Sequence, residues 1–491
     1  MPDDTALHDV EVHDVEAVNR KTTRSLYQKR VKIHPRRARG IFRTLKWWIM
    51  GVTLAIYYFT PWIRWDRGPD LPNQAVLIDF PGRRFYFFFI EIWPQELFFV
   101  AGLLIMAAVG LFLTTSAAGR MWCGYSCPQT VWTDLFIAVE RLIEGDRNAR
   151  LRLDKAPWSF GKLAKRAVKH VIWLVIAMCT GGAWIFYFAD APTLAAKLPT
   201  LDAPAAAYIT IAVLTGTTYL LGGFAREQVC TYMCPWPRIM GAMMDEESLV
   251  VTYREGRGEP RGPHKKGASW EGRGDCVDCN ACVSVCPMGI DIRDGQQLEC
   301  ITCALCIDAC DDVMAKVGRP KGLIGYASLA NEVRVAHGEP SRLRVIRPRT
   351  LIYFGIWGVI GLIMLYALLT RPSLDINVLR DRNPLFVRLA DGNIRNGYTF
   401  KILNKSHDPR SFTLTVTGVK GLTIGVIGYP DSGGAPPVFT VRPDELASYR
   451  VLLTAPKANL AGASNDIEFV TTDIASHESA QYDSVFVGPG S

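Results

Sequence analysis

Eight cysteines between Cys276 and Cys310 repeat one spacing: Cys276-x-x-Cys279-x-x-Cys282-x-x-x-Cys286-Pro287, then Cys300-x-x-Cys303-x-x-Cys306-x-x-x-Cys310. Three closely spaced thiolates can hold three corners of a cubane iron-sulfur cluster, and a remote fourth cysteine reaches across to the neighbouring cluster. This pattern assigns Cys276, Cys279, Cys282 and Cys310 to one 4Fe-4S cluster, and Cys286, Cys300, Cys303 and Cys306 to a second. Structural zinc sites use paired Cys-x-x-Cys ligands, a different pattern. Asp311 stands where a second proline is expected after Cys310, which alters the turn without removing a ligand.

Around this ladder lie five uncharged apolar stretches, residues 47–63, 98–115, 171–188, 208–224 and 350–370, each near the length of about 17 to 25 residues that crosses a bilayer as helix. Hydrophobic residues make up 49% of the 491, which is high for a soluble chain. The first stretch lies too far behind a polar N-terminus for a cleaved leader and is expected to remain as an anchor. Residues 1–46 hold eleven Lys and Arg against four in 64–96; the loop 120–169 holds ten against one, Lys197, in 189–205. Basic residues collect on the cytoplasmic side, so the N-terminus and the cysteine ladder face the cytoplasm and the C-terminus lies outside. The net charge of +8 then reads as membrane flanks facing lipid, not as a nucleic-acid surface. Cysteines in that reducing compartment are expected as thiolates or metal ligands.

A second constellation repeats. Residues 120–128, RMWCGYSCP, and 226–235, REQVCTYMCP, share Cys-x-Tyr-x-Cys-Pro, and each follows an even-numbered span. Spacing of i, i+4 lets both thiols of a motif face one way. Cys123, Cys127, Cys230 and Cys234 would then stand together at the cytoplasmic membrane surface as a soft site, suited to Cu(I). Zinc held by all four, or two tight turns with buried thiols and Pro128 and Pro235 starting the next helices, are the other readings. Cys179 reads as a packing residue, as do Met233, Met240, Met243 and Met244, although thioethers can assist Cu(I).

The expected organisation is a disordered cytoplasmic tail over 1–40, with His8 and His13 as weak metal ligands, then spans one to four over 41–250. A two-cluster ferredoxin-like α+β domain follows over 251–345, behind a Gly/Arg/Pro linker at 254–274. A fifth span covers 346–371 and an all-β sandwich 372–491. The aromatic stretch 85–93 is too short to span and is expected at the outer interface. No facing histidine pair suits haem b, and no glycine-rich fingerprint suits NAD(P)H or flavin.

Taken together, five spans, the repeated C-x3-C-P motif, the double ferredoxin run and the terminal β-domain resemble the FixG/RdxA/CcoG-like polyferredoxins that accompany cbb3-type cytochrome oxidase assembly. The resemblance implies an immunoglobulin-like outer domain in the periplasm and location in a bacterial inner membrane. It implies reduction of Cu(II) to Cu(I) for the oxidase's copper centre, with the residues from Cys276 to Cys310 as the electron wire. Copper is then the substrate, Cys123, Cys127, Cys230 and Cys234 are candidates for capturing it, and oxidase subunits or copper chaperones are expected partners, with an unidentified cytoplasmic electron donor. Two other readings stay open: a quinol-linked polyferredoxin serving a respiratory reductase, and an assembly scaffold that turns nothing over.

Overall fold

Among the described residues, four helices are long and apolar enough to cross a membrane: Pro94–Ala118, Phe160–Tyr187, Ala205–Ala225 and Pro348–Leu369. They come from a computed structural model that describes residues 10–19, 31–68, 71–265, 267–342, 344–429 and 435–489. A further helix, Ile41–Phe59, stands where the first span is expected, but begins before residue 47 and carries Arg43 and Lys46. Its early start has a cause outside the helix. The Asp308 carboxylate accepts from the backbone N–H groups of Phe42 (3.2 Å) and Arg43 (2.7 Å), capping the orphan donors of the first turn. Gly40 makes room for it, since a Cβ there would lie 2.2 Å from Asp308 Cγ. Arg43 and Lys46 are themselves neutralised by Asp134, at 2.7 and 3.6 Å.

The connections alternate between two faces. On one, residues of the 64–96 loop meet those of the 189–204 loop: Arg64 pairs with Asp190 at 2.6 Å, and Gln74 donates to the Phe186 carbonyl and accepts from Ala191 N–H. The aromatic stretch contributes to a small antiparallel sheet, Val76–Asp79, Arg84–Phe87 and Ile90–Ile92. Aromatic and β-branched residues favour such pairing, and the turn at 80–83 lets them close on themselves.

On the opposite face lies the cysteine ladder. Strands Val250–Tyr253 and Ile324–Ala327 pair antiparallel, and short helices Ala281–Val285 and Leu305–Lys316 follow the two cysteine runs. By compactness the chain divides into two units, Met1–Met364 and Leu365–Ser491, and the residues of the expected ferredoxin-like domain lie in the first. The ladder belongs to the first unit because contacts lock it to the membrane part. Besides Asp308, Leu249 N–H donates to the Ala117 carbonyl and Arg120 donates to Leu298.

The described part of the expected disordered tail is also ordered. Residues 10–19 lie across the ladder: His13 N–H donates to the Cys279 carbonyl (3.0 Å), Asn280 returns a bond to His13, and Asn19 bonds Met288 and Gly289. Val10 is buried with Cys276, Cys282 and Cys310, and Val15 and Ala17 pack against the same cluster, which explains the order: a few apolar side chains and several backbone bonds suffice to hold the segment. His8 lies outside the described residues, whereas His13 is buried and bonded to Arg36. A chain lacking residues 1–19 is therefore expected to lose its visible cluster absorbance in air several-fold faster than the full chain, at equal iron content before exposure. Equal bleaching rates would mean that the strap shields nothing.

The second unit is a sandwich. One sheet runs Thr423–Val426, Glu445–Ala455, Ile394–Asn404, Leu374–Arg380, with Val387–Arg388 attached; the other runs Val438–Val441, Arg410–Thr417, Ser464–Asp473, Ser479–Val487. Alternation along each strand turns Tyr398, Phe400, Val451 and Leu453 inward against Phe412, Leu414, Phe439, Phe469 and Phe486, all completely or almost completely buried.

Candidate iron-sulfur ladder and its thiol neighbours

The two cysteine runs have the same backbone signature. Asp278 and Asn280 have φ of 53° and 56°; Thr302 and Ala304, at the same offsets in the second run, have 55° and 60°. Left-handed residues at these points curl each loop around a common centre. All thirteen cysteines are free thiols. Cys310 faces Cys276, Cys279 and Cys282, whereas Cys286 faces Cys300, Cys303 and Cys306, so the last cysteine of each run crosses to the other group. Cys282 and Cys306 also feel each other, which sets the two groups side by side.

Several features of the ladder suit cubane clusters. Backbone N–H groups of Ala281, Thr302 and Ile290 donate to the sulfurs of Cys279, Cys300 and Cys286. Burial pushes the Cys300 thiol up to about 11 and the Cys286 thiol up to about 12. Thiolates so buried need a compensating positive charge, which iron supplies. Asp311 retains a structural role, because its carboxylate accepts from Gly322 N–H at 2.8 Å and ties the second helix to the turn before the closing strand.

The structure also brings the two C-x3-C-P motifs together. Cys123 lies in the short helix Met121–Tyr125, and Cys127 precedes the helix Pro128–Glu144. Cys230 lies in a π-helical turn, Val229–Met233, and Cys234 ends it. The motifs thus share spacing but not backbone conformation. Cys123 feels Cys127 and Cys234, and Cys230 feels all three others, so the four thiols form one group. Burial pushes up the Cys123 and Cys230 thiols, the latter to about 12, while the Arg120 guanidinium acts to lower both. Arg120, 2% exposed, also acts on Cys300, so one buried cation serves both thiol groups.

This group abuts the ladder. Cys123 and Cys230 pack on the same apolar cluster, Val285, Met288, Ile301 and Leu305, as Cys286, Cys300, Cys303 and Cys306. Gly124 marks the closest approach: a Cβ there would sit 2.6 Å from the Ile301 carbonyl and 3.0 Å from Cys303 Cα. Tyr125, 4% exposed, meets Tyr326 hydroxyl to hydroxyl at 3.4 Å, and Tyr326 donates to the Thr302 carbonyl. Behind the motifs lies a buried ion network: Glu140 accepts from Arg150 (2.8 Å) and Arg226 (2.7 Å), while Glu144 pairs with Lys169 (2.9 Å) and Arg166 (3.1 Å). Sequence reading misses this network because its cations are indistinguishable from membrane flanks. Cys179 is exposed on the Phe160–Thr180 helix, away from both thiol groups.

Comparison with known proteins gives the domains and the family. Residues 225–329 match the model of a 4Fe-4S dicluster domain, 99–144 that of a 4Fe-4S binding domain, and 364–489 that of the IG-like fold at the C-terminal of FixG. The nitrogen fixation protein FixG of Rhizobium meliloti (strain 1021) is 57% identical over 506 aligned positions, covering 97% of each chain. Protein RdxB of Cereibacter sphaeroides is 55% identical over 474 positions, covering 95% of this chain and 98% of its own. Among solved structures, a FixG-related protein from Vibrio parahaemolyticus is 25% identical over 24% of this chain and 96% of its own, with a TM-score of 0.21.

Proposed function

Since the chain belongs to the FixG/RdxA family and is a membrane-associated iron-sulfur protein of electron transfer, we propose that it reduces Cu(II) to Cu(I) for the copper centre of a cbb3-type oxidase. In this reading Cys276, Cys279, Cys282 and Cys310 hold one 4Fe-4S cluster, and Cys286, Cys300, Cys303 and Cys306 the other. Bound there, the clusters supply one-electron redox chemistry. The substrate Cu(II) takes up one electron beside Cys123, Cys127, Cys230 and Cys234 and becomes Cu(I), the electron coming from a one-electron cytoplasmic donor.

The observation that carries this reading is the shared packing of Cys123 and Cys230 with the second ligand group, which leaves only side-chain contacts between soft thiols and the ladder. Soft ligands favour Cu(I) over Cu(II) and so raise the copper couple, making its reduction by a low-potential carrier downhill. Arg120 offsets thiolate charge in both groups. The chain crosses the inner membrane five times in this proposal, with the Ile41–Phe59 helix as the first crossing. The ladder is cytoplasmic and the sandwich periplasmic, where it grips an oxidase subunit or copper chaperone.

Anaerobic protein with reduced clusters is expected to form Cu(I) stoichiometrically when Cu(II) is added, read with a colorimetric chelator alongside cluster reoxidation. Cys123→Ser and Cys230→Ser slow this at least about tenfold while keeping their iron, a loss on the scale of disturbing a metal site. Reduced clusters that ignore copper but respond to quinone analogues would instead select the quinol-linked reading. That reading draws on a cavity of about 360 Å³ beside the first motif, lined by Leu54, Tyr57, Ser126, Pro128, Trp132 and Leu221 and mostly apolar.

A further inference from the structure

Four methionines lie near the second motif, and only one puts its sulfur against a motif thiol. Met240, on the Trp236–Met243 helix, is fully buried, and its Sδ lies 3.6 Å from Cys123 Sγ. Met243 Sδ is instead engaged by the Tyr353 hydroxyl at 2.9 Å, Met244 Sδ faces Gly119, and Met233 is 62% exposed.

We propose that Met240 Sδ and Cys123 Sγ are two ligands of one Cu(I) ion, so that the site where copper is reduced also retains the reduced product. The proposal rests on the copper reading above. With metal-sulfur bonds of about 2.3 Å, sulfurs at the observed separation subtend about 100° at a shared ion, an ordinary angle for a low-coordinate or tetrahedral site. Met240 Sδ is the thioether that stands against the first thiol of the motif group, where it can complete a copper site alongside the thiolates. A thioether fills that place without adding negative charge, and its softness discriminates for Cu(I) against Cu(II) and harder cations. Cys127, on the same motif, is the natural third sulfur, and the buried Arg120 guanidinium beside Cys123 balances the anionic charge that two thiolates and one Cu(I) leave over.

The test uses the full-length protein in detergent, anaerobically loaded with Cu(I), in competition with a Cu(I) chelator. Met240→Leu conserves volume in the core, so the variant should fold and keep its iron. It is expected to release Cu(I) to the chelator at least about tenfold more readily than the parent, with one fewer sulfur neighbour in the copper X-ray absorption spectrum. Met243→Leu, with the same chemistry one turn away, should match the parent. If Met240→Leu holds Cu(I) as tightly as the parent while Cys123→Ser loses it, Met240 is a packing residue and the proposal falls, but the motif remains a copper site. If the parent retains no Cu(I), the methionine ligand falls, whereas the copper reading stands or falls on the stoichiometric Cu(I) assay with reduced clusters.

Discussion

Replacing Glu140 with alanine lowers the stability of the membrane unit by about 3–5 kcal/mol, the scale of breaking a buried ion pair from one side. Glu140 is completely buried and holds Arg150, itself 0% exposed, and Arg226, with Lys169 at 3.7 Å. Without it these cations stay in a site from which water is excluded. Burial acts to raise the Glu140 carboxyl, but Arg226, Arg150 and Lys169 overcome that and hold it down to about 2. A depressed acid stabilises the fold above its ordinary value of 4.5 and loses that contribution as pH falls from there toward 2. The stability difference between parent and Glu140→Ala is therefore expected to be constant around neutrality and to shrink only in acid. Thermal unfolding in detergent across that range measures it. Glu140→Ala unfolding at the parent's temperature near pH 7 would show that the cations find other partners.

The second large effect concerns Gly124. Alanine there puts a methyl group 2.6 Å from the Ile301 carbonyl and against the Cys303 backbone, neither of which can rotate away. The first motif must back off from the ladder, with all twelve thiols of the two groups still present. Overpacking of this kind costs about 1–3 kcal/mol, and a displacement of about 1 Å in a redox or catalytic site can cost about a hundredfold in rate. Gly124→Ala is expected to keep its iron and its cluster spectrum yet reduce Cu(II) about 10- to 100-fold more slowly in a single-turnover assay. A normal rate would mean that the contact between Gly124 and Cys303 is not on the electron's route.

Much of this is legible from the chain alone. The grouping of the ladder's thiols is legible because the cysteine spacing is a local pattern, and the structure sets Cys286 and Cys310 across as that pattern expects. The sandwich strands near Tyr398, Ser411, Val438 and Ser448 are visible as alternation, since one face of each strand must be apolar. What escapes depends on contacts distant in sequence. The cap that Asp308 places on the Ile41–Phe59 helix joins positions more than 260 residues apart. Arg150, Arg166 and Lys169 carry charge that looks the same in a sequence whether it faces phosphate headgroups or Glu140 and Glu144. Residues 10–19 mix charges with their apolar side chains and show no period that signals order, because the order resides in contacts to Cys279 and Gly289, far off in sequence.

The crossed cysteines also bear on biogenesis. Each run lends its last sulfur to the other group, so a nascent chain that has emerged only as far as Cys286 owns three sulfurs of one set and one of the other. Neither set is complete until Cys310 has been made and both loops have closed. With the ligand sets as proposed, maturation is coupled to completion of the whole ladder: a chain stalled halfway would offer iron no finished nest, and damage that pulled out Cys310 or Cys286 would open its neighbour's coordination sphere rather than its own run's.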